Sequence, residues 1–483
     1  MTILQVPLNE AYSTIDEKKV LEKVLLEAGG NPVKESAEYA VKKKTNLVEI
    51  NQEGVSIAAQ YIHEKLLSES YTPRTWRTHP LHILPQEPHS PSDPWNKTVL
   101  DWIFLISSLN FSFWSEKEGQ PDRYGVEWQA SWDNDEKRLY TGYWSLVAAL
   151  NKGSSRCFLC HHEELIGASR TAMQNGIPIT DPAFYGSETL CPDSLIESVF
   201  CEAEQCNEGM PLLQQRISIM REVGFILTNV GRLVRSDAET NLSVPSLQAF
   251  DGSYQGLLLE LQRRHDGQAT AIDLVKLITD TFPSFRDEVY LDGRKGKAQG
   301  PLPIAMPADL VCIWKRAQIL VADTWAAFYP DPSVTSTHPL FPGDRGAAIH
   351  DLTMFADYRV PQIMHHLRIL SYPSSLVDAL RNGTPLEPGS REEISLRAAS
   401  IVGVERVREE IIKMLNGSGT VGTRAGFTLT KDGVKHSAPH VSSVLIDFFL
   451  WDLAKRLERG EEKIEGIDTA DILPAHRTRS IWY

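Results

Sequence analysis

Acidic residues embedded among aromatic residues mark the segments of this sequence that could do chemistry. Asp357 stands in "DLTMFADYRVPQ", between Phe355 and Tyr358. Pro361 suits the first turn of a following helix, because its missing N–H would have no helical partner there. Helix N-terminal amides favour an ionised carboxylate, whereas desolvation by aromatic rings opposes it. Asp357 is therefore a candidate catalytic group; the alternative interpretation is a helix cap or a polar core residue.

Two apolar helices supply further candidates. In "VLIDFFLWDLAKR", Asp447, Phe448 and Asp452 fall within an arc of about 140° at roughly 100° per residue. Two buried, unpaired carboxylates are costly, so they suit a ligand with several N–H donors and a flat face. Structural caps or salt bridges are the alternative. In "WKRAQILVADTW", Lys315 begins the helix and could pair with Asp357 or contact an anion; a plain surface lysine is the alternative.

A Cys-x-x-Cys-His-His pattern is formed by Cys157, Cys160, His161 and His162. This spacing can attach a c-type haem or supply half of a zinc site. Later cysteines could complete a zinc set, but Cys201 and Cys206 lack the usual paired spacing. We therefore favour a polar insertion without metal, with a lineage-specific metal site as the alternative.

Helical periodicity dominates the elements that must position these groups. Apolar residues recur at i, i+3 and i+4 in many segments, among them 53–68, 271–282, 361–370 and 441–460. Strand-like alternation is scarce and predicts at most a small β-hairpin, "RYGVEWQAS" with "KRLYTGYWSLV". The apolar stretch 98–114 is too short and too polar to span a bilayer and predicts a buried helix. The predicted fold class is mainly α, with a single large helical domain.

Composition and charge indicate an ordinary globular protein and disfavour one that binds nucleic acid. The chain has 483 residues, of which 42% are hydrophobic and 23% charged, as in ordinary globular proteins. A formal net charge of -14 repels phosphodiester backbones and disfavours stable nucleic-acid binding. The N-terminal segment lacks a basic region followed by an apolar core, so no secretory signal is predicted. We expect a cytoplasmic protein with reduced cysteines, and nuclear residence stays open as well.

At the acid-bearing segments the sequence resembles the queuosine salvage protein family, the queuosine 5′-phosphate N-glycosylase/hydrolases. The resemblance extends from "NPVKESAEYA", which begins at Asn31, to the terminal "HRTRSIWY". The blocks that support it, in order, are "LNFSFWSE", "YTGYWSLVAALN", "GIPITDPAFY", "FPSFRD", "KRAQILVADTW", "TMFADYRVPQ" and "LIDFFLWDLA".

The resemblance implies a helical fold related to DNA glycosylases and a specific reaction. That reaction is hydrolysis of the N-glycosidic bond of queuosine 5′-monophosphate, which releases queuine for salvage into tRNA modification. By motif, Asp357 would be the nucleophile or transition-state stabiliser, and Lys315 would lie beside it or beside the phosphate. The residues that would hold the base are His82 of "PLHILP", Phe355, Asp447, Phe448 and Asp452. The implied partner is this small molecule, no cofactor or metal is required, and the oligomeric state stays open.

Departures from the family pattern affect the base site and the loops. Family members commonly have Asp-Tyr where this chain has Asp447-Phe448, so the stacking face is kept and a hydroxyl is lost. The resemblance divides the chain into an N-terminal extension, 1–30, and the enzyme domain, 31–483. Segments that look like insertions lie near 152–172, 229–249, 292–307, 329–346 and 416–433.

A non-catalytic queuine-binding module and a glycosylase acting on a base within nucleic acid are the alternative functions.

Overall fold

Helices account for most of the secondary structure in the computed structural model, so the predicted mainly α fold class is confirmed. The structure describes residues 30–43, 47–87, 89, 93–155, 176–236, 252–291, 309–417, 427–429, 435–437 and 441–483. In chain order the α-helices of these ranges are α1 (Pro32–Lys43), α2 (Gln52–Ser68), α3 (Pro94–Ser108), α4 (Tyr143–Ser155), α5 (Pro182–Tyr185), α6 (Asp193–Val199), α7 (Leu213–Ser236), α8 (Tyr254–Arg264), α9 (Ala271–Thr281), α10 (Lys315–Ala327), α11 (Arg359–His366), α12 (Ser374–Arg381), α13 (Arg391–Gly417) and α14 (Ser443–Glu458). Short 3-10 helices lie at Pro73–Thr78, Pro283–Phe285 and Ala347–Asp351.

The strands of the described ranges form separate two-stranded antiparallel sheets. They are β1 (Glu49–Ile50), β2 (Gly125–Ser131), β3 (Asn134–Thr141), β4 (Glu288–Tyr290), β5 (Leu310–Cys312), β6 (Leu370–Ser371), β7 (Phe427–Leu429) and β8 (Lys435–Ser437). The pair β2–β3 is the predicted hairpin, and it packs on α4. The other pairs, β1–β6, β4–β5 and β7–β8, are too short to show an alternating pattern in the sequence.

Several helices have the bounds that apolar periodicity predicts, but two predicted segments end early. Helices α2, α9 and α14 lie within two residues of the predicted segments. The apolar stretch 98–114 is helical only to Ser108, and beyond it Ser112 has a left-handed φ of 49°. The helix predicted over 361–370 ends at His366, and the last residue of that segment, Leu370, lies in β6 and pairs with β1 instead. In both places tertiary contacts override the local helical period.

Several sequence features lie outside the described residues. These include the extension 1–30 up to its last residue, the Cys-x-x-Cys-His-His pattern, and most of the expected insertions at 152–172, 229–249, 292–307 and 416–433. The fifth expected insertion, 329–346, is described throughout. His338 joins this loop to α10, because its Nε2 lies 3.0 Å from the carbonyl oxygen of Trp325.

Helix α10 is buried along its whole length and forms one side of the functional site. It packs against α3, α9 and the 3-10 helix Pro73–Thr78. A helix surrounded by protein on every side must satisfy its few polar groups internally. The guanidinium of Arg316 does so by donating to the carbonyl oxygens of Ser108 and Ser284.

The start of α10 is set by Trp314, which adopts a left-handed φ of 44°. Such a backbone conformation costs a non-glycine residue about 1–3 kcal/mol and persists only where surrounding contacts enforce it. Here the indole is fully buried and its Nε1 donates to Glu288 Oε1 at 3.1 Å. This anchor fixes the backbone immediately before Lys315, the first residue of α10.

The extended segment before α11 is held between α10 and α14. Gln318 Oε1 on α10 accepts a hydrogen bond from the backbone N of Thr353 (3.0 Å). At the far end, Arg359 at the start of α11 pairs with Glu458 at the end of α14 (2.9 Å). Within the ranges described above, no helix has the length and apolar character that crossing a membrane would need.

Candidate active site

A cavity of about 320 Å³ lies between α10, α14, the segment before α11 and the 3-10 helix Pro73–Thr78. This volume is in the range of sites that enclose a small ligand. The residues that the sequence predicts for catalysis and base binding all line it, although they come from four separate parts of the chain. They are His82, Lys315, Phe355, Asp357, Asp447, Phe448 and Asp452. Their individual roles stay predictions.

Asp357 is fixed by the amides at the start of α11. Its Oδ1 accepts hydrogen bonds from the backbone N of Arg359 (2.8 Å) and of Val360 (2.9 Å). The helix-cap interpretation therefore holds for one carboxylate oxygen, while Oδ2 makes no hydrogen bond to the described residues. Burial raises the pKa of Asp357, and the Lys315 charge and the two amides oppose this rise. The result is a positioned carboxylate with one oxygen left for a ligand.

Lys315 brings a positive charge close to Asp357. The ammonium is almost completely buried, and Nζ donates to the carbonyl oxygen of Asn110 at 3.3 Å. Burial lowers the pKa of Lys315 to about 8, and the negative charge of Asp357 opposes that shift. An amine with this pKa is still mostly protonated at pH 7. Lys315 can therefore offset the charge of Asp357 or contact an anionic group of a ligand.

Asp447 and Asp452 face the cavity from α14, as their spacing predicts. Asp447 Oδ1 accepts from the backbone N of Phe355 (2.9 Å), and Asp452 Oδ2 accepts from the Tyr71 hydroxyl (2.5 Å). Burial raises the pKa of both carboxyls, and the charge of Asp357 raises that of Asp447 further. Each acid is thus anchored through one oxygen and retains acceptor capacity on the other.

Aromatic rings form much of the cavity wall. The rings of Phe355 and Phe448 lie 6.1 Å apart between centroids with an interplanar angle of 54°. Further rings come from Trp76, His79, Tyr143, Trp144 and Trp451. Flat apolar walls with a few acidic acceptors suit a planar heterocycle that carries N–H donors.

His82 contributes a neutral imidazole to the same cavity. Its ring stacks on Trp76 with centroids 3.9 Å apart, and its Nδ1 lies 2.6 Å from the Trp76 carbonyl oxygen. Nδ1 must therefore donate, which leaves Nε2 as an acceptor. Burial lowers the pKa of His82 to about 4, so the ring is uncharged at pH 7. Among the described residues Nε2 has no hydrogen-bond partner, which suits an N–H donor of a ligand.

Arg397 on α13 supports the segment that holds Asp357. Its Nε donates to the carbonyl oxygen of Ala356 (3.1 Å). The same guanidinium pairs with the buried carboxylates of Asp287 and Glu393, at 3.0 Å for Glu393. Removing one member of such a buried ion cluster leaves the others unpaired and is strongly destabilising. The backbone next to Asp357 is therefore tied to the protein core.

Sequence reasoning missed Arg397 and several lining residues. Asp323 lies in the middle of apolar α10, and this costly placement of a carboxyl was a signal that could have identified it. Tyr71 and Trp76 gave no such signal, because they lie just before and within the short 3-10 helix Pro73–Thr78, where the sequence has no apolar periodicity. Their part in the site becomes visible only through their contacts with Asp452 and His82.

Comparisons with known proteins identify the family of the chain. Residues 89–483 match the family model described as queuosine salvage protein. A Schizosaccharomyces pombe protein named queuosine 5′-phosphate N-glycosylase/hydrolase is 34% identical, over 93% of this chain and 99% of its own length. Proteins of the same name from Mus musculus and Sphaerobacter thermophilus are each 29% identical. The mouse alignment covers 93% of this chain and 98% of the relative, and the bacterial alignment covers 88% and 91%.

Proposed function

This chain belongs to the queuosine salvage protein family, and we infer that it hydrolyses the N-glycosidic bond of queuosine 5′-phosphate. Water adds to C1′ of the ribose, the C1′–N9 bond breaks, and the products are queuine and ribose 5-phosphate. Queuine then becomes available for salvage into tRNA modification. The observation that supports this function most directly is the anchored carboxylate of Asp357 beside Lys315 in an aromatic, acid-lined cavity.

The proposed role of Asp357 follows from the charge that develops during the reaction. Cleavage of a ribosyl C–N bond gives the sugar oxocarbenium character, as in the cleavage of O-glycosides. A carboxylate already fixed near the anomeric carbon stabilises that charge without having to reorganise. Asp357 suits this role because two backbone amides hold one of its oxygens and leave the other available for a ligand.

The leaving base imposes a second requirement. Queuine is a 7-deazapurine, so it has no N7 that an enzyme could protonate to activate the leaving group. The reaction therefore depends more heavily on Asp357 and on contacts to the rest of the base. We propose that Asp447 and Asp452 accept from its N–H donors and that Phe355 and Phe448 stack on it, at about 1–3 kcal/mol for each stacked ring.

We propose that the substrate is the free nucleotide and that intact tRNA is not bound stably. The cavity is small and lined by acids. The protein also has a net charge of -14, which repels the phosphodiester backbone of tRNA. A comparison of queuosine 5′-monophosphate with queuosine-containing tRNA, at equal concentrations of queuosine, tests this choice. Release of queuine from tRNA at a similar rate would favour the alternative of a glycosylase acting on nucleic acid.

The function itself is tested by incubating the purified protein with queuosine 5′-monophosphate and measuring free queuine by chromatography. Asp357→Ala is the paired variant. Release by wild type alone would support both the hydrolase and its catalytic acid, whereas release by both would keep the function and move the catalytic residue. A folded wild-type protein that releases no queuine would refute the hydrolase and favour a binding module.

A further inference from the structure

We propose that Asp323 binds the positively charged amine of the queuine side chain and so selects this base over simpler 7-deazapurines. The inference rests on the function proposed above. Queuine carries an aminomethyl substituent on C7 whose secondary amine is protonated at neutral pH. A site that recognises it needs an acceptor, preferably negative, at some distance from the bond that is broken.

The position of Asp323 in α10 meets the distance requirement. Asp323 and Lys315 line the same cavity and belong to the same helix, eight positions apart. Two turns of helix separate them, which is roughly 12 Å along the axis. The charge of Lys315 acts on Asp357, so Asp323 lies two helical turns away from the lysine of the proposed reaction centre. The amine of queuine is likewise several bonds away from C1′.

The hydrogen bonding of Asp323 leaves it ready for a ligand. The residue is 7% exposed, and its Oδ1 accepts from Trp76 Nε1 at 3.1 Å. In the described part of the chain its Oδ2 makes no hydrogen bond. The same Trp76 stacks on His82 and accepts from its ring N–H, so one residue orients both groups. Asp323 is thus held rigidly through one oxygen, with the second unused.

The charge balance around Asp323 differs from that of the other cavity acids. Each of the others has a protein cation that lowers its pKa: Lys315 for Asp357 and Asp447, and Arg456 for Asp452. Among the described residues no such cation acts on Asp323. Burial raises the pKa of Asp323 to about 7, and the hydrogen bond from Trp76 opposes this rise. A buried carboxylate without a counter-ion is unfavourable. A cationic ligand group would supply the missing charge.

The experiment compares the binding of two free bases, queuine and 7-deazaguanine, by isothermal titration calorimetry. Asp323→Asn is the central variant, because its amide oxygen still accepts from Trp76 while the charge is lost. We expect it to weaken queuine binding by about 10- to 100-fold, as for the loss of a charge-assisted hydrogen bond. Binding of 7-deazaguanine, which lacks the amine, should change by less than about threefold.

Two further variants control for structural damage. Asp101→Asn neutralises another buried carboxyl, 4% exposed and paired with Lys97, that does not line the cavity; its queuine affinity should equal that of wild type. Trp76→Phe keeps a ring beside His82 and removes the donor to Asp323. It should weaken queuine binding. The double variant with Asp323→Asn should lose less binding free energy than the sum of the losses in the two single variants. Thermal unfolding verifies that each variant is folded.

Three results would overturn the inference. The first is an equal loss of affinity for queuine and for 7-deazaguanine in Asp323→Asn. The second is an unchanged affinity for queuine in that variant, and the third is a wild-type protein that does not prefer queuine over 7-deazaguanine. Because these experiments measure binding without turnover, a failure of the Asp323 inference is distinguishable from a failure of the proposed function. A wild-type protein that binds queuine selectively but releases none from the nucleotide would refute only the hydrolase.

Discussion

Asp357→Asn removes one negative charge from the cavity and leaves the surrounding contacts in place. The amide oxygen of Asn can still accept from the backbone N of Arg359 and of Val360, the bonds that now hold Oδ1. Asp357→Ala loses both bonds, and losing a cap of this kind typically costs about 0.5–2 kcal/mol of stability. A comparison of the two variants therefore separates the effect of the charge from the effect of position.

The expected loss of activity follows from the role of the carboxylate. Removing one preorganised group that stabilises transition-state charge typically lowers kcat by about 10²–10³-fold. A carboxylate that also bonds to the anomeric carbon contributes more, so we expect a fall of at least about 10³-fold, equivalent to about 4 kcal/mol. KM should change little, because the charge matters chiefly when the oxocarbenium character develops.

Although Asp357→Asn should lower kcat, it should not lower the folding stability. Burial raises the pKa of Asp357 above its ordinary value of 3.8. A raised carboxyl pKa gives a contribution to folding stability that is complete below the unfolded pKa and is lost as the pH rises through the folded pKa. At pH 7 to 8 the Asn variant, which has no charge to bury, should be at least as stable as wild type.

The assay combines queuine release under single-turnover conditions with thermal unfolding of the same samples. Freshly purified Asp357→Asn protein is needed, since deamidation would regenerate Asp and appear as activity that grows on storage. A folded Asn variant with activity within about tenfold of wild type would refute the assigned role, because it would retain most of the expected 10³-fold effect.

The remaining predictions concern binding, support, metals and pH. Asp447→Ala should raise KM by about tenfold or more, and Asp447→Asn, which can keep the contact to the nearby backbone N–H, should raise it less; an unchanged KM in both would contradict base binding. Arg397→Met should lower the free energy of unfolding by about 3–5 kcal/mol and reduce kcat, with partial recovery in Arg397→Lys; normal kcat and stability would contradict its supporting role. Stringent chelation should leave hydrolysis unchanged, and activity lost on chelation and regained with zinc would instead implicate Cys157 and Cys160. The rise of the Asp323 pKa from 3.8 to about 7 corresponds to an upper limit of about 4 kcal/mol. Wild type should therefore lose stability relative to Asp323→Asn as the pH rises from 4 to 8, and parallel stability curves would contradict this.

The helices that were predicted well, such as α2, α9 and α14, are those whose apolar residues repeat with the helical period. Helix α9 begins with a capping box, whose Thr-x-x-Asp pattern is visible in the sequence. Thr270 Oγ1 accepts from Asp273 N (3.3 Å), and Asp273 Oδ2 accepts from Thr270 N (2.9 Å). The end of α3 was not predictable in this way. Apolar residues continue beyond Ser108, and only tertiary contacts decide that the chain leaves the helix there.

The candidate site was predictable in its acids and less so in their partners. Asp357, Asp447 and Asp452 stand out because carboxyls among apolar and aromatic residues must be explained. The groups that hold them, such as Tyr71 for Asp452, come from distant and irregular segments. No local pattern relates these partners in the sequence, so their contacts had to be read from the structure.

A common feature of the four cavity acids is that the protein satisfies each of them only in part. Backbone amides hold Asp357, the backbone N of Phe355 holds Asp447, and side-chain donors of other elements hold Asp452 and Asp323. Among the described residues, hydrogen bonds engage a single oxygen of each acid, and burial raises the pKa of the carboxyl. Complete hydrogen bonding would have lowered the cost of burial, but it would also have left no acceptor for a ligand. The incomplete bonding is therefore best explained by a ligand that brings its own donors and positive charge, which matches the N–H edge and the amine of queuine.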